Sequence, residues 1–328
     1  MTDAETTDPP FRHRPVMVEE IVTVFATVPP GVVFDATVGG GGHAEALLAS
    51  RPDLSVVGVD RDSEAVAAAA DRLAPFAGRF TVVRATFDDL VQVLHDLPAP
   101  VDRLSGALFD LGVSSPQFDR GRRGFSYRLD GPLDMRMDPT QPLSAAEVVN
   151  GYAVDDLTRV IRRYGDERFA PRIARAIVAA RPIASTGQLA EIVRTAIPAA
   201  TRRHGGHPAR RTFQAIRVEV NAELEVLPVA LDAAIDLTVP EGRIAVLSYQ
   251  SGEDRIVKDR FRRGTGVCDC PPNLPCVCGA RHRLRIVRRI ARRPGEEELA
   301  TNPRAASARL RVAERIDEVG GDDWAGAR

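Results

Sequence analysis

The stretch VFDATVGGGGHAEALL, residues 33–48, constrains the fold of this 328-residue chain more than any other. An apolar run ends in Asp35, four consecutive glycines follow at 39–42, and an alanine-rich helical pattern comes next. A strand that turns into a helix through glycines exposes backbone N–H groups, and a ligand can approach the main chain because no Cβ is in the way. The stretch therefore predicts a strand, turn and helix that bind a nucleotide-like ligand.

The alternation of strand and helix continues downstream. Apolar strand patterns occur at 31–38, 54–62, 80–88 and 104–116, with helical patterns between them, and they end near Asp35, Asp60, Phe87 and Asp110. Strands separated by helices predict a doubly wound parallel sheet, which binds its ligands beyond the carboxyl ends of the strands. Two later segments, 242–250 and 282–290, complete the sheet, and the second alternates like an edge strand.

The middle of the chain departs from this α/β pattern. Residues 117–138 are rich in glycine and arginine but carry apolar anchors, which favours an ordered active-site loop. Residues 144–197 have helical apolar spacing and capping-box strings at 144–147 and 185–188. We predict a discontinuous doubly wound domain at 11–116 plus 212–316. The remaining predictions are an active-site loop and inserted all-helical domain at 117–211, a disordered N-terminus at 1–10 and a disordered tail at 317–328.

Net charge and apolar content restrict the kinds of partner and the cellular compartment that we expect for this protein. The formal net charge is −1, so a nucleic-acid partner has to be held by local patches. No apolar segment is long enough to span a bilayer, and the acidic start lacks the features of a signal peptide. We expect a cytoplasmic protein without membrane contact, and we leave the oligomeric state open.

The glycine turn by itself allows two kinds of ligand. Gly39, Gly41 and Ala44 satisfy G-x-G-x-x-A, a dinucleotide fingerprint, and Asp60 lies at about the expected distance for a ribose acid. Asp35 argues against a dinucleotide, because a carboxylate at this position would repel a pyrophosphate. An acid suits a positively charged ligand, such as the ammonium of S-adenosylmethionine; a structural aspartate that caps the loop is the alternative. Asp60 would then accept the ribose hydroxyls.

The only four cysteines lie within eleven residues, as Cys268, Cys270, Cys276 and Cys278. A cluster this tight indicates metal or redox chemistry more than structural disulfides. Four thiolates could bind a structural zinc ion, but two C-x-C pairs are tighter than the usual C-x2-C spacing. Reduced, unliganded thiols are therefore the alternative.

Strings along most of the chain resemble one known family, the ribosomal RNA small subunit methyltransferase H family. They run from about residue 11 to about residue 316 and include HRPVM, DATVGGGGH, GVDRD, DLGVSSPQFD, GPLDMRMD, YGDERFAPRIARAI and LSYQSGEDRIVK. The resemblance implies methyl transfer from S-adenosylmethionine to the 4-amino nitrogen of a cytidine in the decoding centre of 16S rRNA, with the small ribosomal subunit as the favoured substrate form. It also implies cofactor contacts for Gly41, Gly42, His43, Asp60, Phe87, Asp110 and Gln117, of which His43 and Gln117 come from the resemblance alone.

Such a reaction needs an acceptor for an N–H proton, because the amino nitrogen of cytosine is a poor nucleophile. Asp110, or a main-chain carbonyl of 110–116, is the first candidate, and Asp134 is the second. The FDLGVSSP context of Asp110 departs from the Asn/Asp-Pro-Pro-Tyr/Phe motif of many amino methyltransferases, which leaves the acceptor open.

RNA contact is predicted in the irregular loop, where cations alternate with aromatic rings. This pattern suits phosphate contact combined with base stacking, although solvated charge in an arginine-biased sequence is the alternative. The predicted RNA-binding residues are Arg122, Arg123, Phe125, Tyr127 and Arg136. Two other classes of protein stay open at this point: a dinucleotide-dependent oxidoreductase and a non-catalytic, zinc-stabilised RNA-binding protein.

Overall fold

The computed structural model describes residues 15–113, 115–199, 206–267, 270–271, 281–290 and 292–319. Within these residues, seven strands form one sheet in the order β3-β2-β1-β4-β5-β7-β6. Strands β1 to β5 pair in parallel, whereas β6 is antiparallel to β7. The strands are β1 (Gly31–Asp35), β2 (Leu54–Asp60), β3 (Phe80–Arg84), β4 (Leu104–Asp110), β5 (Thr238–Ser248), β6 (His282–Ile286) and β7 (Arg309–Val319). The predicted doubly wound sheet is confirmed.

Helices flank and interrupt the sheet. Those in the described residues are α1 (Val18–Phe25), α2 (Gly42–Ser50), α3 (Ser63–Leu73), α4 (Leu90–His95), α5 (Ser115–Asp119), α6 (Ala145–Gly151), α7 (Val154–Gly165), α8 (Ala170–Ala179), α9 (Thr186–Ala196), α10 (Arg210–Asn221), α11 (Glu223–Leu237), α12 (Ser251–Gly264) and α13 (Glu296–Thr301). In the part of the chain that the structure describes, no helix is long and apolar enough to cross a membrane.

Several strand boundaries differ from the sequence prediction, and one strand was missed. β3 ends at Arg84, the residue that pairs with the last residue of β2, so 87–89 have no strand to pair with and form a 3₁₀ turn. β7 was not predicted as a strand, and it extends to Val319, past the residue at which we placed the start of the tail. The prediction that 282–290 contains an edge strand is confirmed by β6. The predicted disordered N-terminus at 1–10 lies outside the described residues, as does the end of the tail.

The first of two compact units comprises 1–110, 234–247 and 263–328. Its central strands are buried on both faces, which explains why they appear as continuous apolar runs in the sequence. Phe34 of β1 and Phe109 of β4 are fully buried, and α1 adds Ile21 and Phe25 to the core. This rigid sheet fixes where the strand ends lie.

The second compact unit comprises 111–233 and 248–262. Its helices begin as the sequence predicts: Ser144 and Glu147 form a capping box, and Ser185 caps α9 by accepting from the Gln188 N–H. This unit is larger than the predicted insertion, because it includes α10 and most of α11 and α12. The side chains of α10 explain the difference, since they pack against α7, with Ala215 and Val218 in one apolar cluster with Val160 and Tyr164.

Candidate active site

The turn between β1 and α2 is held by two hydrogen bonds to the end of β2. The Gly39 N–H donates to Asp60 Oδ2 at 3.1 Å, and the Val38 N–H donates to the Val59 carbonyl at 3.0 Å. Gly39 and Gly41 have positive φ angles of 50° and 77°, a conformation that side chains with a Cβ rarely adopt. The glycines therefore let the chain turn sharply beside the end of β2.

The amino terminus of α2 is suited to a polar ligand. Its N-cap residue, Gly41, supplies no side-chain hydrogen bond, so the first-turn N–H groups lack the usual cap. Gly41 also lies against α3, since a Cβ there would come within 3.2 Å of the Ala69 Cα. A Cβ on Gly42 would meet Pro15 Cγ at 2.4 Å. Close packing therefore requires glycine at both positions, whether or not a ligand binds there.

Asp60, at the end of β2, has spare acceptor capacity. Its Oδ1 accepts from the Asp62 N–H at 2.9 Å and its Oδ2 from the Gly39 N–H at 3.1 Å. Burial raises the pKa of Asp60 to about 6. A carboxylate has about four lone-pair positions, so each oxygen keeps one for a further donor such as a ribose hydroxyl.

Asp35 lies deeper than we expected for a residue that touches a ligand. It is 1% exposed, and its Oδ1 accepts from the Thr37 N–H at 3.2 Å. Burial raises the pKa of Asp35 to about 7; His43 opposes this shift, whereas the neighbouring Asp110 and Asp60 add to it. Contact between Asp35 and an ammonium group stays a prediction. The carboxyl group lies close enough to His43, Asp110 and Asp60 for their charges to affect its pKa.

Asp110 and His43 approach each other at the end of β4. The Asp110 N–H donates to Thr37 Oγ1 at 2.7 Å, and its carboxylate is 25% exposed. His43 is 6% exposed, with Nε2 at 2.9 Å from the Val16 carbonyl and Nδ1 at 3.7 Å from Asp110 Oδ2. Because a carbonyl only accepts, Nε2 must carry a proton, and Nδ1 is the nitrogen that faces the carboxylate.

The 3₁₀ turn that follows β3 contributes an aromatic ring and a buried acceptor without a hydrogen-bond partner. Phe87 is half-buried and packs edge-on against Phe109, with ring centroids 6.0 Å apart. Within the described residues, the buried Asp88 Oδ1 has no hydrogen-bond partner. A buried acceptor of this kind suits an incoming N–H donor, such as the amino group of an adenine. The buried oxygen of Asp88 and the bond between Thr37 and the Asp110 main chain were not predicted. The local signal for Asp88 was an acid directly after Phe87.

The second unit holds Gln117 and Asp134, the remaining predicted cofactor and catalytic residues. Gln117 is largely buried on α5. Asp134 is bound by Arg136, whose Nε and Nη2 donate to its two oxygens at 2.8 and 3.0 Å. Desolvation has the largest single effect on the pKa of Asp134 and raises it. The hydrogen bonds and charge of Arg136 together outweigh that effect, so the pKa is lowered. A carboxylate held in this way is a poor proton acceptor, which favours Asp110.

Most of the predicted RNA-binding residues form bonds within the second unit instead. Phe125 is 2% exposed in its core, so the expectation that this ring stacks on a base is corrected. Arg123 donates to the Arg136 and Met137 carbonyls, while Arg136 binds Asp134, so these two cations hold the loop together. Tyr127 is partly exposed and stacks on His207 at 4.6 Å, and Arg122 is exposed.

The cysteine prediction falls largely outside the described residues. Cys270 is described and is partly buried, whereas Cys268, Cys276 and Cys278 are not described. Among the residues described, no cluster of His, Cys, Asp and Glu could hold a metal ion. The structural zinc ion stays a prediction.

Known proteins resemble this chain along nearly its whole length. The model of the MraW methylase family matches residues 10–316. A ribosomal RNA small subunit methyltransferase H from Thermobifida fusca is 53% identical over 313 residues, covering 93% of this chain and 94% of that protein. Its counterpart from Symbiobacterium thermophilum is 50% identical over 311 residues, covering 93% and 97%. A solved rRNA methylase from Streptococcus thermophilus has a TM-score of 0.42 and 9% identity, covering 93% of this chain and 99% of that one.

Proposed function

Because the chain belongs to the MraW methylase family, we propose that it transfers a methyl group from S-adenosylmethionine to the exocyclic 4-amino nitrogen of a cytidine in the decoding centre of 16S rRNA. The observation that carries the proposal is the set of carboxylates at three strand ends, Asp35, Asp60 and Asp110, around an uncapped helix start. Carboxylates in these positions suit a cationic nucleoside and repel a pyrophosphate. Family membership gives no support to an oxidoreductase or to a non-catalytic RNA-binding protein.

The first unit supplies the groups that would bind the cofactor. Asp60 offers its two free lone-pair positions to the ribose hydroxyls, and Asp88 offers its orphaned oxygen to the adenine amine. Phe87 provides an apolar surface for the base, and the backbone of Gly42 and His43 provides uncapped N–H groups. When bound, the cofactor supplies an electrophilic methyl group on a sulfonium.

Asp110 has the position and exposure that a proton acceptor requires. The amino nitrogen of cytosine is a weak nucleophile because its lone pair is delocalised into the ring, and an N–H proton has to leave as positive charge develops on it. The Asp110 main chain is fixed by Thr37 Oγ1 at 2.7 Å, and its carboxylate is partly exposed at the end of β4. It accepts the proton that leaves the nitrogen.

His43 stabilises Asp110 in this role. Since Nε2 is held by the Val16 carbonyl, Nδ1 faces Asp110 Oδ2 at 3.7 Å. At this distance the two groups interact electrostatically without a direct hydrogen bond, and a protonated imidazole would attract the carboxylate.

An rRNA molecule is the substrate that family membership indicates, and the finer context extends the proposal. We place the target cytidine in 16S rRNA of the small ribosomal subunit and the enzyme in the cytoplasm, where that subunit is assembled. Gln117 stays a proposed cofactor contact, as the family resemblance implies. Arg122 and Tyr127, which are at least partly exposed, stay proposed RNA contacts.

Mass mapping of the RNA product tests the function. Unmodified 16S rRNA is offered as a protein-free transcript and within reconstituted small subunits, with methyl-labelled S-adenosylmethionine and with or without the protein. We expect one cytidine of the decoding region to gain a single methyl group on its amino nitrogen. Absence of label in both substrates, or label at another atom, would overturn the proposal.

A further inference from the structure

Three exposed arginines lie on α8 and in the turn that precedes it. Arg172 and Arg175 are three residues apart, so they share one side of the helix, and Arg168 lies two residues before the helix begins. We call them the α8 arginine row. The opposite side of α8 is buried in the core of the second unit through Ile173 and Ile177. The helix is therefore firmly anchored, and it presents the row to solvent.

Among the residues that the structure describes, the row lacks the acidic partners that three other arginines of the second unit have. Arg159 pairs with Asp156 at 3.1 Å, Arg260 pairs with Asp232 at 3.1 Å, and Arg194 pairs with Glu191 at 2.5 Å. No Asp or Glu occurs between residues 168 and 190.

The acid that precedes the row does not neutralise it. Glu167 is 6% exposed, and its Oε1 accepts from the Phe169 N–H at 2.9 Å. Across the described part of the chain, no member of the row has an ion-pair partner. Arg172 and Arg175 are like charges three residues apart on one side of a helix, so they repel each other, and an anionic partner would relieve that repulsion.

Stacking orients one end of the row. The Arg168 guanidinium lies over the Phe169 ring at 4.7 Å from its centroid. A guanidinium over a ring face keeps N–H donors available, and its planar fork matches the oxygens of a phosphate group. The loop arginines Arg123 and Arg136 donate instead to acceptors within their own unit.

We propose that the α8 arginine row binds the phosphate backbone of the rRNA substrate, an inference that rests on the proposed function. Guanidinium groups that contact phosphates set affinity and orientation and carry no base specificity. The row therefore acts on substrate binding, whereas the residues at the strand ends act on the methyl-transfer step.

Charge removal with a matched control tests the row. One variant combines Arg168→Gln, Arg172→Gln and Arg175→Gln. The control combines Arg159→Gln, Arg194→Gln and Arg260→Gln, which removes the same charge from arginines that have acidic partners. Filter binding to protein-free 16S rRNA transcript is measured over a range of KCl at constant Mg²⁺, and methyl transfer to reconstituted small subunits gives KM and kcat. Calorimetry with S-adenosylmethionine and thermal unfolding report on the cofactor site and the fold.

We expect the row variant to bind the transcript at least about tenfold more weakly, with a salt dependence shallower by about two in the log–log slope. Its KM for subunits should rise while kcat and cofactor affinity are retained, and the control should match the wild type. Wild-type affinity and salt slope in the row variant would overturn the inference and leave the proposed function intact. A KM effect on subunits without weaker transcript binding would overturn it too, because it would indicate contact with a ribosomal protein. A wild-type protein that neither binds nor methylates 16S rRNA would refute both proposals.

Discussion

Asp110 is the residue on which the proposed chemistry depends most directly. Replacement by asparagine keeps the shape of the side chain and the N–H bond to Thr37, but it removes the basic oxygen. We expect Asp110→Asn to lower kcat for methyl transfer by about 10²-fold to 10⁴-fold, the usual contribution of a positioned acid–base group. Single-turnover methylation of 16S rRNA within small subunits measures the effect.

Two further measurements show whether Asp110 acts in the chemical step. Cofactor affinity by calorimetry and the thermal unfolding temperature should stay close to wild type, because the strand and its pairing are unchanged. Near-normal single-turnover rates in a folded Asp110→Asn protein would remove this carboxylate from the mechanism and return attention to the main-chain carbonyls of 110–116.

Residue-level prediction from sequence worked where position follows from strand order. Asp60 and Asp110 end β2 and β4, the strands on either side of β1 in the parallel sheet. Their position at the same edge of the sheet therefore follows from topology alone. Phe125 could not be predicted in the same way, because a ring in an irregular loop becomes core or surface only through tertiary packing. The orphaned Asp88 oxygen was equally hidden, since its burial depends on distant segments.

At the scale of elements, the turn between β1 and α2 offers a direct test of why glycine occurs there. Gly41 and Gly78 have similar φ angles, 77° and 81°, so alanine carries a comparable backbone strain at both. A Cβ at Gly78 would meet nothing within 4 Å, whereas one at Gly41 would lie 3.2 Å from the Ala69 Cα. We expect both variants to lose about 1–2 kcal/mol of stability from strain, and Gly41→Ala to lose more because α2 must move away from α3.

Only one of the two glycine variants should affect ligand binding. Displacement of α2 moves the uncapped N–H groups at its start, so Gly41→Ala should raise the Kd for S-adenosylmethionine while Gly78→Ala leaves it unchanged. Urea denaturation and calorimetry on both variants provide the comparison. Equal losses of stability with equal cofactor affinity would show that the close approach to α3 has no bearing on the site.

Element prediction succeeded where a local pattern carried the information. The buried runs of β1, β2 and β4 and the caps of α6 and α9 are written in consecutive residues. β7 was missed because charged residues are spread along it, and one of them, Glu314, is buried only through a distant partner, Arg243. The membership of α10 in the second unit likewise depends on its packing against α7.

On the scale of the whole molecule, the buried acid cluster links folding to pH. The pKa of Asp35 is about 7 in the folded protein and 3.8 in the absence of burial. The folded state therefore holds this proton across a pH range in which the unfolded chain has released it. Stability from this group is greatest at the acidic end and is lost as pH rises from about 4 to about 7, by up to about 4 kcal/mol.

Asp35→Asn should remove this pH dependence. Asp60 and Glu253 also have raised pKa values, about 6 and about 7, but both proteins retain them, so the difference between wild type and variant isolates Asp35. Urea denaturation near pH 4 and near pH 8 should show the free energy of unfolding of the wild type falling by about 3–4 kcal/mol more than that of the variant. Parallel curves would mean that Asp35 ionises normally within the fold. Its charge would then already be balanced in the free protein, and the need for a cationic ligand at this end of the sheet would disappear.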